Sequence, residues 1–118
     1  MSVDEYIKYF SSWESVELFQ EMLKKAEKVI RLPNQTDKEI AYLEAGKYIL
    51  ANSDILVAIW DGQAAQGRGG TGEIVQLARQ QGLPLAWILA GNRQPGTLEP
   101  TSLNEKQGKV VFEGFPFL

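Results

Sequence analysis

The chain contains no cysteine and no histidine. Without cysteine, disulfides, thiolate metal sites and cysteine nucleophiles are excluded. Without histidine, there is no imidazole base, no Ser-His-Asp triad and no imidazole metal ligand. Acid–base chemistry must rest on Asp, Glu, Tyr or Lys. No apolar run approaches the roughly 18 residues of a membrane span. No Lys/Arg run or basic stripe interleaved with aromatics points to nucleic acid. The opening residues, Met1-Ser2-Val3-Asp4-Glu5, lack the basic region and apolar stretch of a secretory signal, so the cytoplasm is the expected location. Metal and cofactor are expected to be absent, and neither nucleic acid nor membrane is an expected partner.

What remains is an ordinary globular composition. The 118 residues are 44% hydrophobic and 23% charged, enough for one domain over 1–118 with a modest core. The net charge of −3 does not forbid a small nucleotide, because backbone N–H groups at a helix N-terminus supply local positive potential.

Along the chain, residues 4–10 hold an apolar cluster of one or two helical turns. Ser12 is placed to cap a helix over 13–28, where Val16, Phe19, Leu23 and Ala26 recur at helical spacing. Val29-Ile30-Arg31-Leu32 reads as a short strand ended by Pro33. Thr36 with Glu39 fits a capping box for a helix over 37–52 that turns Ile40, Leu43, Ile49 and Leu50 inward. The run Ile55–Trp60 suits a central parallel strand covered on both faces. A loop of small and polar residues over 61–70 precedes a helix over 71–81 with Ile74, Leu77 and Ala78 on one side. Gly82 and Pro84 end that helix. Leu85–Leu89 is a second buried strand. Residues 91–108 read as a long loop with a short helical turn, 109–113 as a last strand, and 114–118 as an apolar tail. This alternation predicts an α/β fold with a parallel sheet.

The glycine-rich loop is the candidate site. Gly67-Arg68-Gly69-Gly70-Thr71-Gly72 satisfies G-x-G-x-x-G between a strand and a helix. The stretch from Trp60 to Gly67 is too long for the tight first turn of a dinucleotide site, and no acidic residue follows Leu89: Ala90, Gly91, Asn92 and Arg93 do. Gly62 and Gly67 have the separation of a Walker loop, but Arg68-Gly69 replaces the required Lys and Ser/Thr. The physics common to both loops still applies. Glycines bring backbone N–H groups close to an anion, Thr71 adds a hydroxyl, and the helix dipole favours negative charge there. Gly62, Gly67, Arg68, Gly69, Gly70, Thr71 and Gly72 are therefore the candidate ligand-binding residues. Asp61, at the strand end, and Glu73, in the first helical turn, are the candidate catalytic carboxylates. Asp61 as a loop cap and Glu73 as a first-turn carboxylate are equally good structural explanations. Trp60 and Trp87 read as core.

Three stretches together resemble the SLOG superfamily: Ser53-Asp54-Ile55-Leu56-Val57-Ala58-Ile59-Trp60-Asp61-Gly62, Gly67–Val75, and Ala78-Arg79-Gln80-Gln81-Gly82-Leu83-Pro84. That group is related to the LOG (lysine decarboxylase-like) proteins and more distantly to nucleoside 2-deoxyribosyltransferases. The likeness is clearest over 53–84, extends upstream through Tyr42–Gly46 to about residue 4, and fades after Gly91. It implies a Rossmann-like three-layer sandwich with a short, mainly parallel sheet. In LOG enzymes a Gly-Gly-x-Gly-Thr-x-x-Glu loop binds phosphate and ribose, and the Glu assists glycosidic cleavage. Here Gly69-Gly70-Thr71-Gly72-Glu73 brings the Glu nearer the Thr, and the Arg that LOG enzymes carry on an earlier helix has no clear counterpart. In the deoxyribosyltransferases a Glu of this turn is the nucleophile, with Asp residues nearby, which corresponds to Glu73 and Asp61. Relatives place two strands ahead of the point where this chain begins. The resemblance thus implies a sheet incomplete on its N-terminal side, with an exposed edge, and hence a homo-oligomer, strand exchange or a fragment. The expected function is binding of a nucleotide or nucleoside-type small molecule through a GGTxE loop. The alternatives are an N-glycosidic hydrolase or deoxyribosyltransferase-like enzyme using Glu73, and a structural fragment.

Overall fold

A computed structural model describes residues 2–64, 67–91, 96–99 and 103–116. Among these residues, four helices and three strands follow one another: α1 (Val3–Ile7), α2 (Trp13–Lys25), α3 (Lys38–Ala51), β1 (Leu56–Trp60), α4 (Thr71–Gln81), β2 (Leu85–Leu89) and β3 (Val110–Glu113), with a 3₁₀ turn at Asn104–Lys106 before β3. The fold is α/β, with one three-stranded mixed sheet in the order β1-β2-β3. Among the described residues, no helix is long and apolar enough to cross a membrane.

Local chemistry sets most boundaries. Ser12 caps α2 by accepting the Ser15 N–H at 3.1 Å. The cap of α3 is not the expected Thr36. Asp37 stands one residue later and its carboxylate accepts the Glu39 and Ile40 N–H groups, which satisfies two donors that the helix start leaves unpaired. Gly82 ends α4 in the left-handed region at φ +70°, where a side chain is disfavoured.

The core lies between α4 and the sheet. Val75, Ala78 and Leu85 are fully buried, joined by Leu50, Leu56 and Ala58. Leu43 and Leu50 of α3 turn inward as expected, but Ile49 is 51% exposed because it faces a groove beside the edge of β1. Helices α1 and α2 bury no residue. They are held by a small aromatic cluster of Tyr6, Phe10 and Phe19 and by Lys38 over the Tyr9 ring. The radius of gyration, 15.8 Å, exceeds the roughly 13.5 Å of a compact chain this long, in keeping with N-terminal helices that stand off the sheet.

Three expectations change. Val29–Leu32 is not a strand: it has no regular secondary structure and pairs with no described strand, with Val29 and Ile30 each 47% exposed. A strand needs a neighbouring edge, and this segment lies against α3, lining a groove with Ala41, Tyr48 and Ile49. β1 is not a central strand covered on both faces. It is the sheet edge, and while Leu56 and Ala58 are buried under α4, Val57 and Ile59 on the other face are 60% and 68% exposed. The sheet is also less parallel than expected. β1 and β2 pair in parallel, Leu56 opposite Leu85, but β2 and β3 pair antiparallel, Leu85 opposite Glu113. A parallel return needs a crossover of a dozen or more residues, usually a helix. The described part of 91–108 forms only the 3₁₀ turn, so the chain comes back beside β2 in the opposite direction. Asn92 and Arg93, and Phe117 and Leu118 of the apolar tail, lie outside the described residues.

Candidate functional site

The loop after β1 is organised by two tryptophans and one carboxylate. The Trp87 indole N–H donates to the Trp60 carbonyl at 2.9 Å, and the Trp60 indole N–H donates to the Gln63 carbonyl at 2.9 Å. The Asp61 carboxylate accepts the Gln63 N–H at 2.9 Å, a side-chain-to-backbone turn of the kind Asp favours. Gly62 sits between them at φ +84°, where an added Cβ would lie 3.1 Å from the Trp87 ring. The first residues of the loop are thus fixed to the ends of β1 and β2.

The second half of the loop leans on α3. Gly67 passes beside the Glu39 carboxylate, and Gly69, at φ +78°, presses on the Tyr42–Leu43 backbone so closely that a Cβ would lie 2.7 Å from the Tyr42 carbonyl carbon. The Gly69 N–H donates to Glu73 Oε1 at 2.9 Å. Glu73 is the third residue of α4, and it reaches back over the helix start to hold the loop, a variant of the capping box displaced by one residue. Its negative charge also complements the helix dipole.

Helix α4 begins at Gly70 with no side-chain cap. Among the described residues, no acceptor takes the N–H groups of Gly70, Thr71 or Gly72. They border a cavity of about 560 Å³ beyond the carboxyl ends of β1 and β2, walled by Trp60, Asp61, Gln63, Ala90 and Gly91. This is where an open α/β sheet holds its ligands. A neighbouring cavity of about 610 Å³ is lined by Gly62, Gly72, Glu73, Gln76 and Gln80, with Trp60 shared between the two.

The expected site residues therefore divide. Asp61, Gly70, Thr71 and Gly72 line the first cavity. Glu73 and Gly62 line the second. Gly69 and Thr71 also touch the groove on the far side, beside β1. Gly67 and Arg68 are exposed and line none of the three. Asp61 and Glu73 do not meet in one cavity. Trp60, read from sequence as core, does two things: it stacks on Trp87 with ring centres 4.9 Å apart and it walls both cavities. Gly91 and Gln63 were missed. Gly91 had a signal, since it follows the carboxyl end of the second strand.

The charge around the site is acidic. Among the described residues, Asp61 and Glu73 are the only charged side chains in the walls of these two cavities, so the donors those walls offer an anion are backbone N–H groups and the neutral polar side chains of Thr71, Gln63, Gln76 and Gln80. Arg79, a cation close to the Trp60 ring, is committed elsewhere: it makes two 2.9 Å hydrogen bonds to Glu113. Hydrogen bonding to the Glu113 carboxylate, with Arg79 as donor, raises the guanidinium above its ordinary pKa. Among the described residues, no group of three or more His, Cys, Asp or Glu is placed to hold a metal ion. Chemically, the arrangement can donate several N–H bonds to a polar group at the α4 N-terminus and accept hydroxyls at Asp61. Compared with known proteins, the chain finds no counterpart: no family model, no curated sequence and no solved structure matches it.

Proposed function

We propose that the cavity at the carboxyl ends of β1 and β2 binds a nucleotide or nucleotide-derived small molecule, as a Rossmann-like module of the SLOG kind. One observation carries the reading: the N–H groups of Gly70, Thr71 and Gly72, which no described residue accepts, border a cavity large enough for a small ligand. The N–H groups receive a phosphate or ribose oxygen, Asp61 accepts a ribose hydroxyl, and Trp60 in the cavity wall offers an aromatic contact for the base. The catalytic alternative, N-glycosidic cleavage by Glu73 with Asp61, ranks second. Glu73 Oε1 is already occupied by the Gly69 N–H, and the two carboxylates line different cavities.

Titration calorimetry with AMP, ADP-ribose and cyclic AMP tests the proposal, with amide chemical shifts recorded in parallel. The expected result is saturable binding of at least one of them, with the largest shifts at Gly70, Thr71 and Gly72. No heat and no shift from any of the three sinks it. For the catalytic alternative, release of free base from nucleosides or their monophosphates, lost in Glu73→Gln, is the deciding result.

A further inference from the structure

The sheet has a second face that, among the described residues, no helix covers. The register places Val57, Ala86 and Phe112 side by side on it, and Ile59, Ile88 and Val110 in the next row. Ile55, just ahead of β1, continues the alternation. All seven are apolar, and none carries a charge. Five are half or more open to solvent or nearly so: Ile59 68%, Val57 60%, Phe112 53%, Ile55 49% and Val110 46%. The charged pair Arg79–Glu113 lies on the opposite, helix-covered side. Summed over such side chains the patch is roughly 500 Å², at the upper end for a monomer.

We propose that this face is the two-fold interface of a homodimer, packed sheet against sheet with the same face of a second copy. Two such patches bury roughly 1,000 Å² together, the floor for a specific protein interface. A two-fold contact requires one patch to complement itself. A charge-free surface does so without setting like charges together, and homodimer interfaces are the more apolar kind. Twisted sheets stack face to face about 10 Å apart with their side chains interleaved. The small Ala86 between Val57 and Phe112 leaves a recess for an opposing side chain.

The other way for a second copy to join, β1 pairing antiparallel with β1, is blocked twice. Tyr42, Ala45 and Ile49 of α3 roof the space beside the β1 edge, so a continued sheet would drive α3 into the second copy's helix layer. Centring that pairing between Val57 and Ala58 would also set Asp54 of one copy opposite Asp61 of the other, at both ends, a destabilising like-charge pair.

The test is sedimentation velocity on the full chain over a concentration series. The expected mass at saturation is twice the 13.2 kDa of one chain. Ile59→Lys with Phe112→Lys places two charges on each side of the two-fold axis, so the dissociation constant is expected to rise by more than about 100-fold. Val57→Thr with Ile59→Thr keeps β-branched residues in the strand and is expected to raise it at least about tenfold, which serves if the lysine variant fails to fold by circular dichroism. Leu18→Lys, on the exposed side of α2, is expected to leave the dimer intact. A chain that stays monomeric at about 100 µM, a dimer that survives the threonine substitutions, or one dissociated by Leu18→Lys overturns the proposal.

Discussion

Replacing Gly69 by alanine should cost far more than the same change at Gly82, and the gap isolates the close approach of the loop to α3. Both glycines are left-handed, at φ +78° and +70°. An alanine at either position pays about 1–2 kcal/mol for that conformation. At Gly82 nothing lies within 4 Å of the added Cβ, so the loss stops there. At Gly69 the Cβ meets Leu43 and Tyr42 backbone, which cannot swing aside as a flexible side chain could. The loop must withdraw, and withdrawal breaks the Gly69 N–H bond to Glu73. A hydrogen bond to a charged group contributes about 1.5–3 kcal/mol. Gly69→Ala is therefore expected to lose about 3–5 kcal/mol, a large share of the 5–15 kcal/mol typical of a whole domain. Urea unfolding of both variants reads this directly. With a slope near 1.5 kcal/mol/M, the midpoint falls by roughly 2–3 M for Gly69→Ala and by roughly 1 M for Gly82→Ala. Glu73→Ala, which removes only the acceptor, should fall between them. Equal midpoints for the two glycine variants would refute the claim that the loop is pinned on α3.

Other substitutions probe the remaining contacts. Leu85→Ala empties the fully buried centre of β2 and is expected to cost about 2–5 kcal/mol, measured by the same unfolding curve. Asp37→Ala removes the cap of α3 and should cost about 1 kcal/mol, whereas Thr36→Ala should change little. A double-mutant cycle on Arg79 and Glu113, both about one-third exposed, should give a coupling of no more than about 1 kcal/mol that shrinks in 1 M salt. Arg79→Met alone should also lower Trp60 fluorescence anisotropy, because the guanidinium lies over that ring.

Much of the chain was legible because its signals are local. The span of α4 follows from apolar spacing between a glycine loop and Gly82 with Pro84. β2 follows from five consecutive apolar residues after a proline. Ser12 caps α2 through a bond three residues away. The strand–loop–helix setting of Gly67–Gly72 was equally readable, because glycine, threonine and the strand end are all within one short segment. Most of what failed depends on a distant partner. Val29–Leu32 has the composition of a strand but lies against α3 and pairs with no described strand. Ile55–Trp60 has the composition of a covered strand, yet only the face toward α4 is covered. Thr36 lost the cap to Asp37 by one residue of register.

The amino-acid sequence by itself determined the spans of α2, α3, α4 and β2 to within a few residues, that acid–base work cannot fall to histidine or cysteine, and that a glycine-rich turn opens α4. Those properties come from backbone propensity, side-chain chemistry and short-range hydrogen bonds. Only the tertiary structure decided that β3 returns antiparallel, that Glu73 turns back to hold Gly69, that Asp61 and Glu73 face different cavities, and that Val57 and Ile59 of β1 point away from α4. Each of these depends on which surfaces meet, and no residue carries that information in its own spacing.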